Sequence, residues 1–166
     1  MDAEIADSIG PSDDVALWCE AVASASAARV LRRLEEAGYG DVRVSHGYIF
    51  QGVLAGDTTI TDLAKRLGVS VQAVSKSVIE LEQAGYLHRR RSDDDGRARS
   101  IELTRRGRSM LATSRRARAE IAADVTEALG TKRTATLLAA LRTISTRLGA
   151  REAVDDRRLR PPDAQL

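Results

Sequence analysis

The sequence predicts a mainly helical chain with a small β contribution, an α+β arrangement in which one charged hairpin interrupts a series of amphipathic helices. Three observations carry this. Apolar residues recur at three- and four-residue spacing through most of the 166 residues. Two short runs of this kind lie between Thr58 and Gly85, separated only by Gly68, Val69 and Ser70. After Gly85, two short β-compatible stretches flank Ser92-Asp93-Asp94-Asp95-Gly96-Arg97, a sequence rich in turn formers. Aromatic residues make up only 3% of the chain, so the core must be built from Leu, Ile, Val and Ala, which suits closely packed helices.

In chain order, residues 1–12 are acidic, contain Gly10-Pro11, and are expected to be a flexible N-terminus ahead of one domain over 13–150. Ser12 or Asp13 can cap a helix over 15–37 whose stripe takes in Val15, Trp18, Val22, Ala25, Val30, Leu31 and Leu34. Gly38-Tyr39-Gly40 breaks it, and Asp41 to Val44 form an extended link. Ser45 is placed to cap a helix over 46–55 that buries Ile49, Phe50, Val53 and Leu54 and stops at Gly56. Thr58-Thr59-Ile60 is expected to add a short third strand, with Thr59 or Thr61 capping the next helix.

That helix carries Ile60, Leu63, Ala64 and Leu67, and Gly68 ends it. Ser70 then caps a second helix with Val74, Val78 and Leu81 on its apolar stripe and Val71 and Ile79 flanking it; Gly85 closes it. Two short helices joined by a tight Gly-containing turn form a helix-turn-helix. The face opposite the stripe holds Ser70, Gln72, Ala73, Ser75, Lys76 and Ser77. Such side chains are short enough to let a backbone approach DNA and polar enough to pair with base edges or phosphates. An ordinary solvated face more often carries Glu and Lys.

The hairpin pairs Tyr86 to Arg91 with Arg99 to Leu103 and forms a charged wing. Arg97 near its tip is suited to a minor groove, and Arg90, Arg91 and Arg99 to phosphates. The net charge of +2 says little, but its distribution says more. No Lys or Arg precedes Arg29, whereas the stretch from Arg89 to Arg118 holds most of the basic excess. A local basic patch is the footprint of a nucleic-acid binder.

At this point the residues resemble a known family. LAKRLGVSVQAVSKSVIELEQAGYLHRR followed by DDDGRARSIELTRRG is similar to the winged helix-turn-helix of the MarR family of bacterial transcription regulators. Asp95-Gly96-Arg97 matches the family's Asp-x-Arg wing, and Leu103-Thr104-Arg105-Arg106-Gly107 matches its Leu-Thr-x-x-Gly. The resemblance covers 45–107 most strongly. It implies that Ser70, Gln72, Ala73, Ser75 and Lys76 lie on the recognition helix, and that Arg97 is the wing-tip Arg held by Asp95. Val71 departs from the polar residue often found at its place. Together with Thr59, Arg90 and Arg99, these make the expected DNA-contacting set.

Thr104 is placed to cap a long helix ending at Leu129, with Met110, Leu111, Ile121, Val125 and Leu129 on its stripe. Gly130-Thr131 breaks the chain before a last helix over 132–148 carrying Leu137, Leu141, Ile144 and Leu148. These two helices find no obvious partner inside a small winged domain. The helices over 108–148 are therefore expected to be C-terminal dimerisation helices of a homodimer, and the resemblance implies that the N-terminal helix over 13–37 packs in the same interface. Residues 151–166 read as a flexible polar tail.

The expected function is a dimeric regulator, a repressor by default, that binds a near-palindromic double-stranded DNA operator and releases it to a small-molecule effector. The resemblance places small aromatic or phenolic ligands where the dimer helices meet the winged domain, and Trp18, Arg29, Tyr39, His46 and Tyr48 lie in segments that could line such a pocket. Some family members sense peroxide with a Cys in the first helix activated by nearby Tyr hydroxyls. Cys19 is in that helix, but Val15, Val22 and Ala23 stand one turn away, which favours a buried inert thiol over a redox sensor. A winged helix that contacts protein instead of DNA is the other class, and Lys76 and the wing arginines argue against it.

No cofactor or metal is expected, because His46, His88 and Cys19 form no ligand-spacing motif. No phosphate loop or nucleophile elbow supports an enzyme. No basic-then-apolar leader and no membrane-spanning run is present, so a cytoplasmic location with no membrane partner is expected.

Overall fold

The computed structural model describes residues 13–91 and 99–155. The expected flexible segment over 1–12 and the wing tip with Asp95 and Arg97 lie outside the described residues, as does the chain after 155. Helix α1 is Val15–Glu36, α2 Val44–Leu54, α3 Ile60–Leu67 and α4 Val71–Gln83. Strands β1 (Leu87–Arg91) and β2 (Arg99–Leu103) follow, then α5 (Arg105–Leu129), α6 (Thr131–Arg147) and the short α7 (Arg151–Asp155). The polar tail expected from residue 151 thus opens with a turn of helix, held by Arg151 Nε donating to Asp155 one turn on at 2.7 Å.

The reading head is built from α2, α3, α4 and the two strands. Helix α3 packs on α4, and α2 lies across α3, α4 and β2. Ile49, Phe50, Leu63, Val74, Val78, Leu81, Tyr86, Leu87 and Ile101 are each at most 2% exposed and form one core. Gly52 allows a close helix approach in it: a Cβ there would stand well inside van der Waals contact distance of a Leu63 methyl. The strands pair antiparallel with Leu87 opposite Leu103, Arg89 opposite Ile101 and Arg90 opposite Ser100. Period-two alternation therefore sends Leu87, Ile101 and Leu103 inward and leaves His88 and Arg90 exposed. The third strand expected at Thr58 is reduced to a single backbone bond, Ile101 N–H to the Thr58 carbonyl at 2.7 Å, because α3 begins at Ile60 and leaves no room for a ladder.

Two caps differ from expectation. Asp14, not Ser12 or Asp13, caps α1, accepting from Leu17 N–H at 3.0 Å. Helix α2 starts one residue before Ser45, so Arg43 holds the N-cap position and His46 reaches back to accept from Arg43 N–H at 3.2 Å. Thr104 caps α5 as expected, its Oγ1 accepting from Gly107 N–H at 3.0 Å and donating to the Gly85 carbonyl at 2.6 Å. A Cβ on Gly107 would collide with the Tyr86 carbonyl oxygen and lie 3.1 Å from Leu103 Cδ2. The Leu-Thr-x-x-Gly pattern is thus a joint: Thr104 ties the end of the wing to the first turn of α5, and Gly107 lets that turn sit directly on the strand entry.

The arms are α1, α5 and α6. Only Val30 and Leu34 of α1 and Met110, Leu111 and Ala117 of α5 are buried apolar residues, and α6 buries none. Arg29 pairs with Asp124, and Arg33 Nε donates to Glu120 at 3.0 Å, lacing α1 to α5. Val15, Leu17, Trp18 and Val22 on α1, and Leu137, Leu138, Leu141 and Leu148 at the other end, are exposed. Cys19 shares that exposure. The expected buried thiol is therefore not found, since among the described residues no other element covers the first half of α1.

Candidate nucleic-acid interface

The helix-turn-helix is set by three local devices. Thr59 caps α3, accepting from Asp62 N–H at 3.1 Å and donating to the Asp62 carboxylate at 2.6 Å. Gly68 ends α3 in the left-handed conformation at φ 63°, which side chains other than Gly resist. Ser70 then starts α4, its Oγ accepting from Ala73 N–H at 3.1 Å. The turn between the helices is thus only Gly68, Val69 and Ser70, and α4 is held across the top of the head with its N-terminus presented.

The solvent face of α4 carries Val71, Gln72, Lys76, Ile79 and Gln83, with Ala73 and Ser75 half-buried beside them. Ser77, expected on this face, is instead buried at 1% exposure, because it falls on the same side as Val74, Val78 and Leu81. Thr59 and Ser70 spend their hydroxyls on caps, so their contribution to the surface is the position of the helix ends. Arg90 is exposed on β1. The backbone of Arg99 pairs with Arg91 at the start of β2.

The acids of α4 do not oppose the basic side chains. Glu80 is held by the Arg43 guanidinium, and its Oε2 lies 3.6 Å from His46 Nε2. Glu82 Oε2 lies 3.1 Å from Arg89 Nε on the neighbouring strand. His88 and Glu102, opposite each other across the wing, are 3.4 Å apart. Both carboxylates of the recognition helix therefore have arginine partners, leaving Lys76 as the charged group of its outward face. The first of these pairings leaves no trace in the sequence pattern, because Arg43 and Glu80 are 37 residues apart.

Beneath this surface His46 is 3% exposed. Burial pushes its imidazole below the ordinary value of 6.5, the Arg43 guanidinium adds to that, and Glu80 opposes it. Behind it, Arg106 stacks over Tyr39 at 5.2 Å and Tyr86 at 4.8 Å from the ring centroids. Arg106 also donates to the Tyr86 hydroxyl and to the Gly38 carbonyl, both at 3.1 Å, while Tyr86 donates to Asp41. Burial and the Asp41 carboxylate push the Tyr86 phenol up to about 12. This cluster ties the α1–α2 link, the wing entry and α5 together.

Of the five residues expected to line an effector pocket, only Tyr48 borders the cleft between α2 and α5. That cleft, about 480 Å³, is walled by Val42, Phe50, Met110 and Leu111 with Arg115 and Arg118 at its side. Trp18 is exposed on α1, Arg29 is paired with Asp124, Tyr39 stacks on Arg106, and His46 serves the α2 cap. Sequence reading missed Arg115 and Arg118, whose only signal was membership of a basic run. Among the described residues no cluster of His, Cys, Asp or Glu could hold a metal ion, and no helix is long and apolar enough to cross a membrane.

Comparison with known proteins joins this geometry to a family. Residues 48–98, the core of the head, match the model described as MarR family. A transcriptional regulator from Thermotoga maritima superposes with a TM-score of 0.58 at 21% identity, covering 79% of this chain and 91% of that one. Streptococcus pneumoniae FabT, solved in complex with DNA, gives 0.62 at 20% identity over 82% of this chain and 98% of its own. S. aureus MepR bound to ethidium bromide gives 0.58 at 19% identity over 84% and 99%. At these identities the likeness is one of fold, and it extends to the N- and C-terminal helices. No match was found among curated proteins. With the family's motif over α3, α4 and the wing, its model matched over residues 48–98, and the fold of solved relatives reproduced along most of the chain, this protein is similar to the MarR family of winged helix-turn-helix transcription regulators.

Proposed function

We propose that the protein is a homodimeric repressor that binds a near-palindromic operator through α4 and the wing. The observation that carries this is the outward face of α4: Gln72, Ser75 and Lys76 point away from the core, while Glu80 and Glu82 are paired with Arg43 and Arg89. Gln72 and Ser75 read bases, Lys76 meets phosphate or guanine, and Arg90 holds the flanking backbone. The homodimer is argued from the exposed apolar residues at both ends of the arms. A two-fold pair of heads engages successive major grooves roughly 34–36 Å apart. The relative solved with DNA supports this reading.

The test is footprinting on the DNA upstream of the protein's own gene at two salt concentrations. A protected near-palindrome whose affinity falls steeply with salt is expected. A dimer that protects nothing and shows no sequence preference on a random pool would sink the proposal.

A specific observation favours ligand control as well. The α2–α5 cleft joins the head to an arm, so an occupant there bears on the spacing of the heads. Its aromatic and aliphatic wall beside Arg115 and Arg118 suits an aromatic ligand with an acidic or phenolic group, and MepR bound to ethidium supports a small-molecule site in this fold. Salicylate titrated into the operator complex is expected to release DNA from the wild type and not from Arg115→Ala with Arg118→Ala.

A further inference from the structure

The recognition helix exposes apolar surface that no other described residue covers. Val71 is 51% exposed and Ile79 43% exposed, on the face that also carries Gln72, Ser75 and Lys76. Positions 71, 75 and 79 are four apart and stand in one row, with 72, 76 and 80 in the row beside it. Val71 is the first residue of α4, directly after the Ser70 cap, so the foremost outward pair of the helix is one apolar and one amide side chain.

In a helix-turn-helix the N-terminal residues of the second helix approach base edges. Among the four bases only thymine presents a methyl group in the major groove, and aliphatic side chains are its natural partners. A branched aliphatic group has no hydrogen bond to offer and would only lose by facing the other base edges, whose groups are donors and acceptors. Resting on the DNA-reading proposal above, we infer that Val71 reads the C5-methyl of a thymine in each operator half-site, next to the base contacted by Gln72. Ile79 lies about 12 Å further along the helix axis, a full groove width away, and is not part of this contact.

The experiment works whatever the operator sequence is. The full-length protein selects duplexes from a randomised pool, and each thymine of the selected site is then replaced by deoxyuridine, which removes only the methyl group. With wild-type protein one thymine per half-site is expected to respond, by about fourfold in Kd, the worth of one buried methyl-sized group, and both together by about fifteenfold. Val71→Ala is expected to bind the thymine duplex more weakly by a similar factor and to become indifferent to deoxyuridine at those two positions. Gln72→Ala is expected to keep the deoxyuridine response. Ala is a better helix former than Val at an exposed site, so the variant does not threaten the fold.

Wild-type binding that is indifferent to deoxyuridine everywhere would overturn the inference while leaving the regulator reading intact. So would a full deoxyuridine response retained by Val71→Ala. Unaltered DNA binding by Val71→Ala would also overturn it, and would hand the exposed row to a protein partner. Failure to select any duplex would take down the DNA-reading proposal together with this one, and is distinguished from the other outcomes by the absence of a site.

Discussion

The head and the arms of this molecule solve opposite problems. The head buries Ile49, Phe50, Leu63, Val74, Val78 and Tyr86 almost completely and pairs both acids of α4 with arginines. The arms hold most of the exposed large apolar side chains, among them Trp18 at 57% and Leu148 at 77%, and α6 buries nothing. A head that is closed by itself can present its outward face to another kind of molecule. An arm left open keeps an apolar stripe that a lone amphipathic helix cannot bury, and in the homodimer proposed above a second copy covers it. The proposed reading and assembly roles thus fall on different parts of one chain.

The contrast is broken most severely at the arms. Leu137→Asp with Leu141→Asp is expected to convert a dimer to a monomer in sedimentation and to weaken operator binding on the order of 100-fold, as coupled sites become independent. The thermal transition of the head should survive. A double variant that remains dimeric would remove the assembly role from this face.

Within the head, Gly107→Ala should cost about 3 kcal/mol in urea denaturation, because the added methyl meets a backbone carbonyl that cannot move without the strand. Gly52→Ala should cost less, about 1–2 kcal/mol, since the atom in the way is a Leu63 methyl that can rotate. Equal losses at the two sites would refute the distinction between a fixed and a yielding neighbour.

Ser70→Ala removes the cap of the recognition helix and should cost about 1 kcal/mol. The smallest effect is a pH dependence. The His46 imidazole titrates below 6.5 in the folded chain, so the folded state binds fewer protons than the unfolded one as pH drops through 6.5. Its stabilising share is complete above 6.5 and is lost as pH falls through the lowered folded value. Denaturation midpoints between pH 7.5 and 5.5 should slope more gently in His46→Gln; an unchanged slope would clear His46 of this role.

Much of the fold was legible because its signals are local. Gly68, Ser70 and the spacing of Val74, Val78 and Leu81 define the second half of the helix-turn-helix within a short stretch, and Thr104 marks the start of α5 within a single turn. What escaped was set by exact angular position on a helix or by contacts between elements. Ser77 reads as a polar surface residue by type, yet its angular position on α4 buries it. His46 reads as a pocket residue, but its position in the first turn of α2 commits it to Arg43 and Glu80. Arg115 and Arg118 were lost in a run of arginines, and only the cleft between α5 and α2 separates the two that border it from those that do not. The Leu-Thr-x-x-Gly match carried a family resemblance but no physical reason until Gly107 was found against the Tyr86 carbonyl.

That seat of Gly107 gives α5 the mechanics of a crank. The helix is about 37 Å long at 1.5 Å per residue, and its first turn is fixed to the wing entry by Thr104 and by a contact that tolerates no added atom. A tilt of about five degrees at that seat would carry the far end through about 3 Å, so the arm multiplies displacement rather than absorbing it. A displacement of the far end of α5 therefore bears first on the wing entry, where Thr104 and Gly107 hold its first turn.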